Sequence, residues 1–132
     1  MRKKLLFVLH LLIVLTTAAS VGSYFFGETD PLGGFGTRCF RYFTTDSNIL
    51  ACIGSLVYLL FTGKQKPRWA MLLRYAGTVS VTITLLTVIF FLGPTAAAGS
   101  KGLQGFLMFF EGNVFVLHFS TPVLSLLAVL LT

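Results

Sequence analysis

The sequence predicts an all-α, polytopic membrane protein, a four-helix transmembrane bundle formed by a single domain (residues 1–132). Hydrophobic residues make up 55% of the chain and charged residues only 11%, whereas a soluble domain carries roughly 25% charged residues. Four apolar stretches are long enough to cross the ~30 Å hydrocarbon layer, which takes about 20 helical residues. These stretches must be helices, because lipid offers no partners to the backbone of an open strand.

The four predicted helices lie between segments that are rich in turn residues. They cover, in chain order, residues 5–26, 43–62, 71–93 and 106–131. The segment 30–36 contains Pro31 and three glycines, and we expect it to interrupt the helical pattern. The Gly93-Pro94 pair, with more glycines after it, is likewise expected to end the third helix.

A secretory signal peptide is the alternative interpretation of the first helix. Basic residues 2–4 precede an apolar run, and the small residues 17–19 resemble a cleavage site. The apolar character continues past that site to residue 26, which favours an uncleaved membrane helix. Cleavage would leave three helices.

The basic residues predict the orientation in the membrane. Seven of the ten Lys and Arg residues lie at positions 2–4 or 64–74, which share one side if four spans alternate. The positive-inside rule therefore places both termini in the cytoplasm, with the protein in the plasma membrane. Contact with an anionic leaflet explains the net charge of +6. Nucleic acid is not an expected partner, because no soluble fold is available to carry a basic face.

Polar residues on one face of the second helix suggest a site, because polar groups inside lipid need partners. Thr44, Asn48, Ser55 and Thr62 share this face, and Ser47 flanks its outer end. An alternative is that Thr44 and Ser47 cap the start of the helix. Hydrogen bonds that only join helices, each worth roughly 0.6 kcal/mol, are a further alternative.

The fourth helix carries a second polar stripe. Glu111, His118 and Ser125 recur at heptad spacing, and Pro122 lies on the same side. Pro122 has no N–H, so we expect a kink and a carbonyl of His118 without its helical partner. A structural histidine and a glutamate that neutralises a nearby arginine are the alternatives. A weaker stripe on the third helix is assigned to packing: Ser80, Thr84 and Thr87.

The cysteines and the other histidine suggest no cofactor or metal. Cys39 and Cys52 are predicted at different depths, so we expect no disulfide between them. No spacing resembles a metal-binding cysteine cluster. His10 is flanked by leucines and is interpreted as structural.

Three motifs resemble uncharacterised bacterial multi-pass membrane proteins. Residues 42–50, YFTTDSNIL, match a YFTxxSNxL signature, and residues 73–94 are also similar. Gly112-Asn113 followed by His118 and Pro122 resembles a GN…H…P helix. The resemblance covers roughly residues 38–127 of this chain.

Those bacterial proteins are distantly similar to the androgen-induced membrane proteins, which hydrolyse fatty-acid esters of hydroxy fatty acids with an intramembrane threonine and a histidine. The resemblance implies that Thr44 is the nucleophile and His118 its partner. The eukaryotic members lack the Ser47-Asn48 pair and place their proline at another offset from the histidine. Both groups continue with further helices, so this chain is expected to be a shortened member or a fragment.

The chemistry implied for these residues is consistent. A neutral imidazole can take the proton of a threonine hydroxyl, and Asn48 is expected to donate to the oxyanion. Thr44 should lie near the outer end of its helix. His118 lies ~18 Å along the fourth helix if that helix begins at Phe106, or ~10 Å if it begins near Glu111. Asn48 is therefore the easier partner for His118.

Two hypotheses follow from the sequence. The first is an intramembrane lipid-ester hydrolase, with Thr44 and His118 catalytic and a lipid ester as substrate. The second is a non-enzymatic protein, either a small-molecule or ion binder or a subunit of an assembly, in which Asn48, His118 and Glu111 form a polar site or a clasp between helices. Ser47 is a further candidate binding residue, with Asn48 and Glu111. The lipid bilayer is a partner in both. Oligomers fit either hypothesis, and a transporter would require them.

Overall fold

The computed structural model describes residues 1–26, 39–40, 42–99, 102–107 and 115–132, and all regular structure among these residues is helical. The all-α prediction is confirmed. The first three helices are α1 (Arg2–Phe26), α2 (Phe43–Leu60) and α3 (Arg68–Thr87). A π-helical turn, π1 (Val88–Leu92), joins α3 to α4 (Gly93–Ala98). The remaining elements are α5 (Leu103–Leu107), a second π turn, π2 (Val116–Ser120), and α6 (Thr121–Leu130).

Among the described residues, three helical segments are long and apolar enough to cross a membrane. They are Arg2–Phe26, Phe43–Leu60 and Arg68–Ala98, and Val116–Leu130 is a shorter apolar helix. Part of the predicted fourth helix, residues 108–114, lies outside the described residues. The described part before it, α5, packs against α4.

The expected end of the third helix at Gly93-Pro94 is wrong. Helical structure continues through π1 and α4 to Ala98. Pro94 lies in the first turn of α4, where its missing N–H removes no hydrogen bond of that helix. The helix ends instead at Gly99, whose backbone is extended.

Four helices form a ring in which α1 packs on α2, α2 on α3, α3 on α6 and α6 on α1. The contact between α2 and α3 depends on two glycines. A Cβ atom on Gly77 would lie 2.7 Å from the Cα of Ala51, and one on Gly54 would lie 2.9 Å from the Cα of Arg74. Larger side chains at these positions would push the two backbones apart.

Both ends of the described chain meet at one end of the bundle. The Arg2 guanidinium donates hydrogen bonds to the carbonyls of Leu131 and Thr132. Arg74, in the second turn of α3, reaches the same place through the Thr132 hydroxyl, at 2.8 Å. The basic segments 2–4 and 64–74 therefore lie at the same end of the bundle.

Candidate functional site

The structure brings Thr44 and His118 together from different helices. Thr44 is the second residue of α2 and His118 lies in π2. The Thr44 Oγ1 atom is 3.4 Å from His118 Nε2. This is a long hydrogen bond, slightly beyond the ~2.6–3.2 Å of a general base in contact with its proton donor, and such bonds are often long when no substrate is bound. His118 is buried and Thr44 is half-buried. The turn π2 thus places the imidazole at the same depth as the start of α2. The ~18 Å offset expected for a helix beginning at Phe106 does not occur.

Asn48 lies one turn along α2 from Thr44 and is fully buried. Its Nδ2 atom donates to the carbonyl of Thr44 at 2.7 Å and to that of Leu117 at 2.8 Å. A side-chain amide has only two hydrogens to donate. None is left for an oxyanion, contrary to the role expected from the sequence. Asn48 instead ties α2 to the residue before His118.

The Leu117 carbonyl needs this bond because of the π turn and Pro122. The Thr121 N–H, which would bond Leu117 in an α-helix, bonds the carbonyl of Val116. The next candidate along the π turn is Pro122, which has no N–H. The carbonyl that accepts from Asn48 is therefore that of Leu117, one residue before the His118 carbonyl expected from the sequence. The turn π1 shows the same geometry, since the Gly93 N–H bonds Val88 and Pro94 follows.

Ser47 connects the site to α3. Its Oγ atom is 2.9 Å from the carbonyl of Thr44 and 3.0 Å from Oγ1 of Thr84. The N-cap of α2 is Tyr42, and no side chain caps the helix there. The alternative that Thr44 and Ser47 cap α2 is therefore wrong. The sequence predicted only a packing role for Thr84. The polar stripe that contains Thr84 on the third helix was the signal that could have assigned this residue to the site.

A small buried cluster includes Leu117, the residue before His118. Tyr24 of α1, Cys39 and Leu117 are buried against one another. Cys39 and Cys52 are both free thiols. Burial, and then the negative charge of Asp46, raise the pKa of the Cys39 thiol. Cys39 therefore stays protonated at neutral pH and is not an activated nucleophile.

The polar stripe predicted on the fourth helix also contained Glu111 and Ser125. Glu111 lies outside the described residues. Ser125 is buried in α6, and its Oγ atom has no hydrogen-bond partner among the described residues. Within the described part of the chain, no three His, Cys, Asp or Glu side chains are grouped to hold a metal ion.

The fold and these contacts define the class of protein as a helical membrane protein with a threonine–histidine pair inside the bundle. Comparison with protein-family models, curated proteins and solved structures finds no match for this chain. The resemblance carried by the sequence motifs therefore stays a prediction.

Proposed function

We propose that this protein is a membrane-embedded hydrolase of lipid esters, in which Thr44 is the nucleophile and His118 the general base. The observation that supports the proposal is the 3.4 Å separation of Thr44 Oγ1 and His118 Nε2, across two helices in a bundle otherwise rich in apolar residues. A threonine hydroxyl becomes an effective nucleophile only when an adjacent base accepts its proton. Nε2 can do so in the neutral tautomer that carries its proton on Nδ1.

The reaction proceeds in two acyl-transfer steps. The Thr44 oxygen attacks the ester carbonyl carbon while its proton moves to His118 Nε2. The tetrahedral intermediate then expels the alcohol, which takes that proton from the imidazolium, and an acyl-threonine ester remains. A water molecule gives its proton to His118 and attacks the acyl carbon. Collapse of this second intermediate returns the proton to Thr44 and releases the fatty acid.

The oxyanion of each intermediate is stabilised by the start of α2 in this proposal. Asn48 is committed to two carbonyls. An α-helix leaves its first N–H groups without helical partners, and the positive end of its dipole lies there. Among the backbone donors, the N–H groups of Phe43 and Thr44 are the nearest in sequence to the nucleophile. They can supply the hydrogen bonds that developing negative charge requires.

The proposed substrate is an ester with long acyl chains, reached from the bilayer. Large apolar side chains cover the outer faces of the helices that hold the site, including Phe43 at 56% exposed and Leu60 at 69%. Such faces suit lipid better than water. The motif resemblance suggests fatty-acid esters of hydroxy fatty acids as the first compounds to test.

We further propose a multi-pass arrangement in the plasma membrane with both termini cytoplasmic. The basic segments 2–4 and 64–74 gather at one end of the bundle, where Arg2 and Arg74 both contact Thr132. An excess of Lys and Arg is typical of the cytoplasmic side. This orientation places Thr44 and His118 near the outer surface.

A long-chain alkyl fluorophosphonate tests the catalytic assignment on the purified protein in detergent. We expect a covalent phosphonyl adduct, measured on the intact protein and located at residue 44 by peptide mass spectrometry, in the wild type and in Thr44→Ser. Labelling should disappear in Thr44→Ala and in His118→Ala. The matched control is Thr87→Ala, because the Thr87 hydroxyl bonds only within its own helix, to the carbonyl of Ile83 at 2.8 Å. Undiminished labelling of Thr44→Ala and His118→Ala would exclude both roles.

A non-enzymatic protein is the second candidate, and the bonds of Ser47 and Asn48 favour it. These side chains connect α2 to α3 and to π2, as expected for a clasp between helices or for a binding site. This function predicts no labelling of the wild type. It also predicts that Thr44→Ala and His118→Ala lower the melting temperature, whereas the hydrolase requires a loss of turnover in a folded protein.

A further inference from the structure

Arg74 of α3 lies near the end of α2 that is opposite Thr44. It is a buried cation, and only some of its nitrogen atoms have hydrogen-bond partners among the described residues. Arg74 is 2% exposed. Its Nη1 atom is 2.8 Å from the Thr132 hydroxyl and 3.5 Å from His10 Nε2. Its Nε and Nη2 atoms are buried and have no hydrogen-bond partner among the residues that the structure describes. Buried guanidinium N–H groups are costly to leave unpaired.

His10 supplies no negative charge to this cluster. Its Nε2 faces an Arg74 nitrogen that can only donate, and its Nδ1 is 3.0 Å from Ser55 Oγ. His10 must therefore accept at Nε2, so it is neutral and carries its proton on Nδ1.

No side-chain carboxylate among the described residues contacts Arg74, and the carboxyl end of Thr132 is bonded by Arg2. Asp46 is the only acidic residue described, and it lies twelve residues before Tyr58 on α2, or ~18 Å along the helix. The Arg74 guanidinium instead packs over Tyr58, with 4.9 Å between its carbon and the ring centroid. Lys66 brings a second cation to within 4.4 Å of the same centroid. Two positive charges thus share one aromatic ring, and a buried charge without a counter-ion is unfavourable.

The two unpaired nitrogens belong to one edge of the guanidinium. The N–H groups of Nε and Nη2 point the same way, which is the fork that binds two oxygens of a phosphate or a carboxylate. A basic pocket between membrane helices at the end that carries the positive charges is also where anionic headgroups bind.

From this geometry we propose that Arg74 and Lys66 bind a phosphate oxyanion, supplied by the headgroup of an anionic phospholipid or by free phosphate. The site is independent of the proposed hydrolase. The phosphate accepts two hydrogen bonds from Nε and Nη2 of Arg74. Lys66, which is half-buried, moves off the Tyr58 ring to admit the phosphate and adds the second charge.

Native mass spectrometry of the full chain in a neutral detergent tests this site. The protein is titrated separately with phosphatidylglycerol, phosphatidylcholine and inorganic phosphate. The variants are Arg74→Gln, Lys66→Gln and, as matched control, Arg68→Gln, which removes an exposed charge from the same segment. We expect one retained phosphatidylglycerol, with affinity reduced about tenfold or more in Arg74→Gln and less in Lys66→Gln. The control should bind as the wild type does.

The three ligands distinguish the sources of the phosphate. Preference for phosphatidylglycerol over phosphatidylcholine and inorganic phosphate identifies the lipid, and saturable binding of inorganic phosphate that Arg74→Gln removes identifies a free anion. If Arg74→Gln fails to fold, the test becomes the comparison of Lys66→Gln with Arg68→Gln. The proposal then requires that Lys66→Gln weakens binding of the phosphate compound more than Arg68→Gln does. Equal binding by Lys66→Gln, Arg68→Gln and the wild type would overturn the proposal, as would no retained phosphate compound in the wild type.

Discussion

A double-mutant cycle between Asn48 and Pro122 tests the geometry that holds His118 in place. Asn48→Ala removes two hydrogen bonds. The Thr44 carbonyl keeps Ser47 as a donor at 2.9 Å, so the loss of this bond within α2 should cost about 0.5–1.5 kcal/mol, the net contribution of an ordinary hydrogen bond. The Leu117 carbonyl has no such substitute, because Thr121 bonds Val116 instead. A buried unpaired carbonyl costs about 1–3 kcal/mol, so the total loss of unfolding free energy should be about 1.5–4.5 kcal/mol.

Pro122→Ala changes this result by supplying the missing N–H. In the register of the π turn, that N–H lies five residues after Leu117 and can bond its carbonyl. Asn48→Ala should therefore cost about 1–3 kcal/mol less in the Pro122→Ala background than in the wild type. The difference between the two costs is the coupling energy of the pair.

Reversible unfolding in mixed micelles of dodecyl maltoside and dodecyl sulfate, followed by circular dichroism, measures all four proteins. Ser125→Ala serves as the control, because it removes a buried hydroxyl that has no partner among the described residues. This change should be nearly neutral or slightly stabilising. If Asn48→Ala lowers the unfolding free energy equally in both backgrounds, Pro122 does not leave the Leu117 carbonyl without a hydrogen-bond partner.

Other regions of the molecule give further predictions. Gly77→Ala should destabilise the bundle by about 1–3 kcal/mol, since its Cβ would meet the Cα of Ala51 at 2.7 Å, whereas Gly22→Ala, with nothing within 4 Å, should be tolerated. Unfolding in the same micelles measures both, and equal effects would contradict the close α2–α3 contact. Alkylation of Cys39 should be slow at neutral pH and accelerate as the pH rises, because its raised pKa keeps the unreactive thiol form dominant. Asp46→Asn removes a charge that raises this pKa, so alkylation at a fixed pH should become faster, as followed by mass spectrometry, and an unchanged rate would refute that contribution.

The helical fold could be predicted from composition, because lipid permits few other structures for long apolar stretches. The error at Gly93-Pro94 has a physical cause. Proline is expected to break a helix when its missing N–H and its ring disturb the preceding turn. Here the π turn π1 comes directly before α4 and widens the turn that precedes Pro94. Pro94 therefore lies in the first turn of α4, and the helical structure continues without a loop. The helix propensities of residues 88–92, taken one at a time, do not predict a π turn.

The candidate site could be predicted as residue types but not as contacts. The cost of polarity in lipid selected Thr44, Asn48 and His118 from the sequence. Which of them touch depends on where the last helix begins relative to α2, and helix periodicity does not determine that offset. The structure pairs His118 with Thr44 and gives both N–H groups of Asn48 to backbone carbonyls. For Arg74, the sequence predicted only a positive charge in contact with the membrane surface. Its burial could not be predicted, because that depends on the packing of α2, α3 and α6.

The two polar clusters can be tested separately because the bundle keeps them far apart. Thr44 and Tyr58 are fourteen residues apart on α2, which corresponds to ~21 Å along the helix. Effects of substitutions more than about 7–10 Å apart, with no shared partners, are generally additive. Thr44→Ala should therefore leave phosphate binding at Arg74 unchanged, and Lys66→Gln should leave the labelling of Thr44 unchanged. A joint loss in either single variant would mean that the bundle itself had unfolded, since none of the described side-chain contacts links the two ends directly.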